Sequence, residues 1–205
     1  MSHLIEPTWV SRLLLDNSFD STWSEWLCHP TSMTKKFKKH CQRFRVRILY
    51  EGFNYAYPSE MRQLGFTKRQ YVWIRETQLF GDGKLWMFAR AAMPMTTLTG
   101  SELRLKFLGE HPLGHFIFTH RQMQRSSFEF AKINENHHFY MPSVYVEDKV
   151  GNTVSQDYLQ QHENPHENPK VLLGRRSMFY LNNKPLLLTE IFAKDFLLYT
   201  SSSHS

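Results

Sequence analysis

Apolar residues recur with two spacings along the chain, and the change of spacing divides it into elements. Trp23, Trp26 and Leu27 fall at i, i+3 and i+4, the stripe of a short helix that Ser21 can cap and Pro30 ends. Thr31 or Ser32 can cap a second helix that begins at Met33 and turns Phe37 inward. From Phe44 the period becomes two. Phe44, Val46, Ile48 and Tyr50 alternate with Arg45, Arg47 and Leu49, giving a strand with one buried and one wetter face. Residues 71–80 read as a second strand, with Tyr71, Trp73, Arg75, Thr77 and Leu79 on one face. Gly81-Asp82-Gly83 is a hairpin signal, and residues 85–93 return as the partner, setting Trp86, Phe88, Arg90 and Ala92 together.

Beyond the hairpin, Thr99-Gly100-Ser101-Glu102 has capping-box spacing and opens a short helix. Leu103, Phe107 and Leu108 would form its stripe, and Gly109 suits its end. Pro112-Leu113-Gly114 begins another short helical or turn segment running into Phe116-Ile117-Phe118, and strands are expected at 122–132 and 139–146. Residues 147–169 are polar and end in a tandem His-Glu-Asn-Pro repeat, which reads as a surface insertion. The fold resumes at Leu172, with a strand over 176–182, a turn at Asn182-Asn183-Lys184, a last strand over 185–193 and a frayed tail over 200–205. Helices followed by hairpins predict an α+β domain built on one antiparallel sheet, packed on one side by helices.

Composition narrows the partners. The chain of 205 residues is 41% hydrophobic and 15% aromatic, enough for one domain with a real core. Its longest apolar runs, such as Leu186-Leu187-Leu188, fall far short of the roughly 20 residues a membrane span needs. The first fifteen residues include Glu6 and Pro7 and no continuous apolar segment, so no signal peptide is read and a cytoplasmic location is expected. Cys28 and Cys41 are expected as reduced thiols. The net charge is +6. Its densest run, Lys35-Lys36-Phe37-Lys38-Lys39-His40 followed by Arg43, Arg45 and Arg47, reads as a solvated face. No nucleic-acid-binding signature accompanies it, so no nucleic-acid partner is expected.

The apparent metal motif, His162-Glu163-Asn164-Pro165-His166, matches H-E-x-x-H in form only. That chemistry needs both histidines on one face of a continuous helix, which Pro165 breaks, so no metal is expected. Glu190 is more informative. Strand alternation sets it on one face with Leu186, Leu188 and Phe192. A carboxylate there is costly unless protonated or paired, which leaves a proton-transfer role and a partnership with a core arginine both open. Arg75, between Trp73 and Thr77, can hold a ligand carboxylate bidentately or serve a protein carboxylate, Glu190 included. Arg90 can point into the same space. Two arginines and a glutamate among aromatic residues suit an anionic small molecule.

Seven segments, in order, carry a family resemblance: Ser32-Met33-Thr34-Lys35, Glu51-Gly52-Phe53, Trp73-Ile74-Arg75-Glu76, Thr97-Leu98-Thr99-Gly100, Leu108-Gly109 with Pro112-Leu113-Gly114, Gly174-Arg175-Arg176-Ser177, and Lys184 through Glu190. Together they resemble chorismate pyruvate-lyase, over about residues 13–198 apart from the insertion. The resemblance implies a monomeric enzyme with a six-stranded antiparallel sheet and a buried cavity under loop flaps. It implies cleavage of chorismate to 4-hydroxybenzoate and pyruvate, the committed step toward ubiquinone, with no metal or organic cofactor and no membrane insertion. Product would be handed to a membrane 4-hydroxybenzoate prenyltransferase. The family's ligand positions fall on Met33, Arg75, Leu113 and Glu190. Arg75 would fix the ring carboxylate, Glu190 the hydroxyl end, and Met33 and Leu113 would act through backbone and shape. Arg90 is a further candidate for the side-chain carboxylate. His115 stands where the family pattern leads one to expect arginine, and 147–169 departs from its compact form. A non-catalytic sensor of aromatic acids with the same fold is the alternative, although the N-terminal stretch is too short for an attached DNA-binding domain.

Overall fold

A computed structural model describes residues 5–11, 21–146, 171–194, 196 and 197. The polar insertion with its histidine repeat, the tail, and the side chain of Ser21 lie outside the described residues.

One antiparallel sheet of eight strands organises the chain. Its strands are β1 (Val10–Ser11), β2 (Phe44–Tyr55), β3 (Tyr71–Gly81), β4 (Lys84–Met93), β5 (Met123–Arg125), β6 (Glu129–Ile133), β7 (Leu172–Leu181) and β8 (Lys184–Phe192). The order across the sheet is β1-β6-β7-β8-β4-β3-β2, and β5 also pairs with β7. Six long or central strands thus carry two short additions, β1 and β5. The hairpin turns lie where expected: Asp82 and Gly83 take positive φ between β3 and β4, Asn182 and Asn183 between β7 and β8.

Both faces of the sheet are covered, not one. On the first face lie α1 (Ser21–Leu27), α2 (Met33–Phe37), a 3₁₀ segment (Gly100–Phe107) and α4 (Leu113–Thr119). On the second lie α3 (Pro58–Gln63) and α5 (Met141–Val144). The sequence reading passed over α3, although Pro58 at its first turn and Glu60 reaching back to the Tyr57 amide are start signals.

Several other expectations are corrected. The strand over 122–132 is broken, because the Ser126 hydroxyl accepts the Met178 N–H at 3.0 Å in place of a ladder partner. Residues 139–146 are not a strand. Pro142 favours a first helical turn, and Ser143 Oγ donates to the Phe139 carbonyl at 2.6 Å. Thr99 makes no side-chain cap for the segment it precedes, and the period there is three, so Glu102 and Leu105 are buried while Leu103 and Phe107 are exposed. In the basic run, Lys36 is buried, donating to Glu25 Oε1 at 2.6 Å over the Trp26 ring. Ser32 does cap α2, accepting from Lys35 N–H at 3.3 Å. Cys28 and Cys41 form no disulfide, and no described helix is long and apolar enough to cross a membrane.

Candidate active site

The cavity lies on the first face of the sheet, between two apolar clusters. One gathers Trp26, Met33, Phe37, Leu79 and Phe192; the other gathers Leu98, Leu105, Leu113, Ile117 and Leu186. Its floor follows from cross-strand register. Arg75 and Thr77 on β3 oppose Ala91 and Ala89 on β4, which oppose Leu188 and Glu190 on β8. Two alanines in mid-sheet leave the volume that larger side chains would fill. The roof is made by the first turns of α2 and α4, which bring Met33, Thr34, Leu113 and Gly114 over that floor. First-turn amides have no intrahelical acceptor; in α2 Ser32 takes that of Lys35, and the amides of Met33 and Thr34, like those of Leu113 and Gly114 in α4, face the N-terminal ends of their helices. The space between floor and roof is small and partly open to solvent.

Met33, Arg75, Leu113 and Glu190 all line this one cavity. They come from α2, β3, α4 and β8, and at least 38 residues separate each from the next. Arg75 is 2% exposed. Its protein partner is Glu51 on β2, not Glu190. Nη2 also donates to the carbonyls of Gly109 and His111, at 2.7 and 3.0 Å. Three of the five guanidinium N–H groups are thus engaged by the protein. Burial pushes the group down to about 10, so it remains a cation at neutral pH. Glu190 accepts from Arg175 Nε at 2.7 Å. Arg175 is 1% exposed and is anchored in turn by the carbonyls of Trp26, Leu27 and His29. Of the two readings left open for Glu190, partnership with a core arginine is the one observed.

Arg90 does not reach the cavity. A regular hairpin closed at Gly81 and Lys84 would set Arg75 opposite residue 90. Trp86 is instead an extra residue, a bulge between Leu85 and Met87, so Arg75 faces Ala91 and Arg90 faces Glu76. A one-residue shift turns every later side chain to the other face. There Arg90 is bound by Glu60 at 2.7 Å and Glu76 at 2.6 Å, and stacks on Tyr57. A second bulge, at Leu49, does the reverse for β2. It turns Tyr50 away from the cavity face and brings Glu51 beneath Arg75. Glu51 and Arg175 are the residues that sequence reasoning missed. Both stand in quoted motifs, but nothing in the alternation pointed them inward. His115 is exposed on α4.

The same cavity has a supporting frame. Glu102, buried in the 3₁₀ segment, accepts from Ser101 at 2.7 Å, Asn182 at 2.8 Å and Lys184 at 2.7 Å, and meets His120 at 3.0 Å. These contacts tie the segment before Arg75's carbonyl partners to the end of α4 and to the β7–β8 turn. Among the described residues no group of three or more histidine, cysteine or acidic side chains is arranged to hold a metal ion.

Comparison with known proteins agrees with this architecture. The solved structure of PhnF from Mycobacterium smegmatis shares the fold, with a TM-score of 0.50 at 12% identity over 80% of this chain and 64% of that one. A probable chorismate pyruvate-lyase of Marinobacter nauticus is 40% identical over 116 residues, which is 55% of this chain and 62% of that protein. The chorismate pyruvate-lyase of Cronobacter sakazakii is 32% identical over 178 residues, covering 86% of this chain and 83% of the relative. The family description "chorismate lyase" matches residues 7–203. Matched along nearly its whole length, the chain belongs to the chorismate lyase family.

Proposed function

We propose that this protein cleaves chorismate to 4-hydroxybenzoate and pyruvate. The observation that carries the reading is the convergence of Met33, Arg75, Leu113 and Glu190 on one cavity in a chain of this family. Chorismate bears a ring carboxylate, an enolpyruvyl ether at C3 and a hydroxyl at C4. Arg75, held by Glu51 and two carbonyls, offers its remaining N–H groups to the ring carboxylate. Glu190, oriented by Arg175, accepts from the hydroxyl at the other end.

In the reaction the C3–O bond breaks, the C4 hydrogen leaves as a proton, and the proton ends on the methylene carbon of the departing enolpyruvate. Atoms and electrons balance without an oxidant. The ring becomes aromatic, so the thermodynamic drive is internal to the substrate. The residues supply position, exclusion of water and a fixed field for charge shifting onto the leaving fragment. In the cell the reaction would supply 4-hydroxybenzoate for ubiquinone synthesis and hand it to a membrane prenyltransferase, with the protein a cytoplasmic monomer.

The test is a coupled assay for pyruvate from chorismate in the presence of EDTA. Pyruvate and 4-hydroxybenzoate should appear in equal amounts, at a rate the chelator does not change. Tight binding of 4-hydroxybenzoate with no pyruvate formed would overturn the reading in favour of an aromatic-acid sensor.

A further inference from the structure

Two arginines lie behind the Glu190 end of the cavity, outside the residues that line it, and only one of them has a carboxylate. Arg175 is bound to Glu190. Arg125, on β5, stands in register with Phe179 on the same face of the sheet. Its Nε donates to Ser177 Oγ at 2.9 Å and its Nη1 to the Pro30 carbonyl at 3.0 Å. Both acceptors are neutral. The guanidinium lies 3.7 Å from the Phe128 ring centre and 5.9 Å from that of Phe118, which lines the cavity. Among the described residues Arg75, Arg90, Arg175 and Arg176 are the buried arginines, and each has a carboxylate partner, whereas Arg125 is half-buried. Among the described residues Arg125 has none. Glu190 and Arg175 cancel, so Arg125 is a surplus positive charge behind this end of the cavity, close enough to feel the field of both. Burial pushes the Arg125 guanidinium down to about 10, which leaves it charged at neutral pH.

We propose that Arg125 binds the carboxylate of the substrate's enolpyruvyl side chain. The assignment rests on the lyase reading above. The ether is at C3, next to the C4 hydroxyl. With the ring carboxylate at Arg75 and the hydroxyl at Glu190, the side chain leaves the ring at the Glu190 end, and its carboxylate requires a cation there. Arg90 lies on the opposite face, and Arg175 is occupied by Glu190 and three carbonyls. Arg125 is the cation whose partners are all neutral, so exchanging the Pro30 carbonyl for a carboxylate strengthens its bonding. As the C3–O bond breaks, the same guanidinium keeps hold of the departing fragment.

The experiment compares binding of two stable ligands by calorimetry. One is 3-(carboxymethoxy)-4-hydroxybenzoate, which carries a second carboxylate on an ether beside the hydroxyl. The other is 3-methoxy-4-hydroxybenzoate, which has the ether and no second charge. The unmodified protein should prefer the diacid by about tenfold or more, and Arg125→Gln should weaken diacid binding by about thirtyfold while leaving the methoxy acid within about threefold. Arg125→Lys should retain part of the preference. Equal weakening of both ligands would assign Arg125 a structural role and overturn the proposal. So would an unmodified protein with no preference for the diacid, a result that needs no variant to fold. Because the readout is binding, a protein that prefers the diacid yet forms no pyruvate from chorismate sinks the lyase reading and leaves Arg125 only as the site of a ligand's second carboxylate, whereas a protein that forms pyruvate and shows no Arg125-dependent preference overturns this assignment alone.

Discussion

Arg75 is held by the protein itself, and in the proposed reading the same guanidinium also serves the ligand. Its engagement with Glu51, Gly109 and His111 fixes the plane of the guanidinium before any substrate arrives. That pre-organisation is what a directed contact needs, since the planar group loses little freedom on binding. Replacing Arg75 by alanine removes the ligand's counter-charge and leaves Glu51 without its partner. The substrate carboxylate, left desolvated and unpaired, costs ~3–5 kcal/mol, which corresponds to roughly a hundredfold to a few-thousandfold loss of kcat/KM, while the unpaired Glu51 lowers stability. Steady-state kinetics on a variant whose thermal midpoint is measured alongside will check this, and wild-type kinetics from Arg75→Ala would remove Arg75 from the site.

At the scale of elements, two bulges decide which residues meet. The strand pattern itself was legible: β2, β3, β4, β7 and β8 lie close to where period-two alternation set them, and Ser32 marks the start of α2. A bulge leaves no such trace. It inserts one residue without disturbing local alternation, so the segments on either side each read correctly while their relative phase is lost. That is why Arg90 and Tyr50 were assigned to the wrong face and Glu51 was overlooked. The same reason holds for the site. Arg75 and Glu190 were visible as charges on apolar faces, but their partners were visible only through register. The Trp86 bulge has one further mark. A Cβ on Gly81 would stand 2.3 Å from the Trp86 ring, because the displaced indole lies across that glycine. Gly81→Ala should therefore cost about 1–3 kcal/mol through overpacking, a fall of several degrees in the thermal midpoint. Gly81→Ala combined with Trp86→Leu should cost less than the two single changes added together, since residues in contact do not add independently. A full-strength Gly81→Ala protein would mean the ring does not lie there.

Across the whole molecule, the cavity is roofed by pieces that have little structure of their own, and Glu102 binds them to the sheet. Burial by itself would raise the Glu102 carboxyl, but hydrogen bonds from Lys184, Ser101 and His120 outweigh it and hold the group down to about 2, against a usual value near 4.5. A carboxyl depressed in the folded state stabilises fully above its unfolded pKa and loses that contribution as pH falls through the folded one. The thermal midpoint of the native protein should therefore exceed that of Glu102→Gln by a constant margin between pH 7 and about pH 5, and the margin should shrink from there toward pH 2. A margin independent of pH over that range would show that the carboxylate charge is not what ties the roof. The roof's other seam is narrower still. Where α4 passes α2, a Cβ on Gly114 would come within 3.1 Å of Ser32 Oγ and 3.4 Å of Thr34 Oγ1. Any side chain at this crossing would press on those two hydroxyls, so even one added methyl would oblige the two helices to part by a few tenths of an ångström, and the height of the roof above the sheet is set by the absence of a single carbon atom.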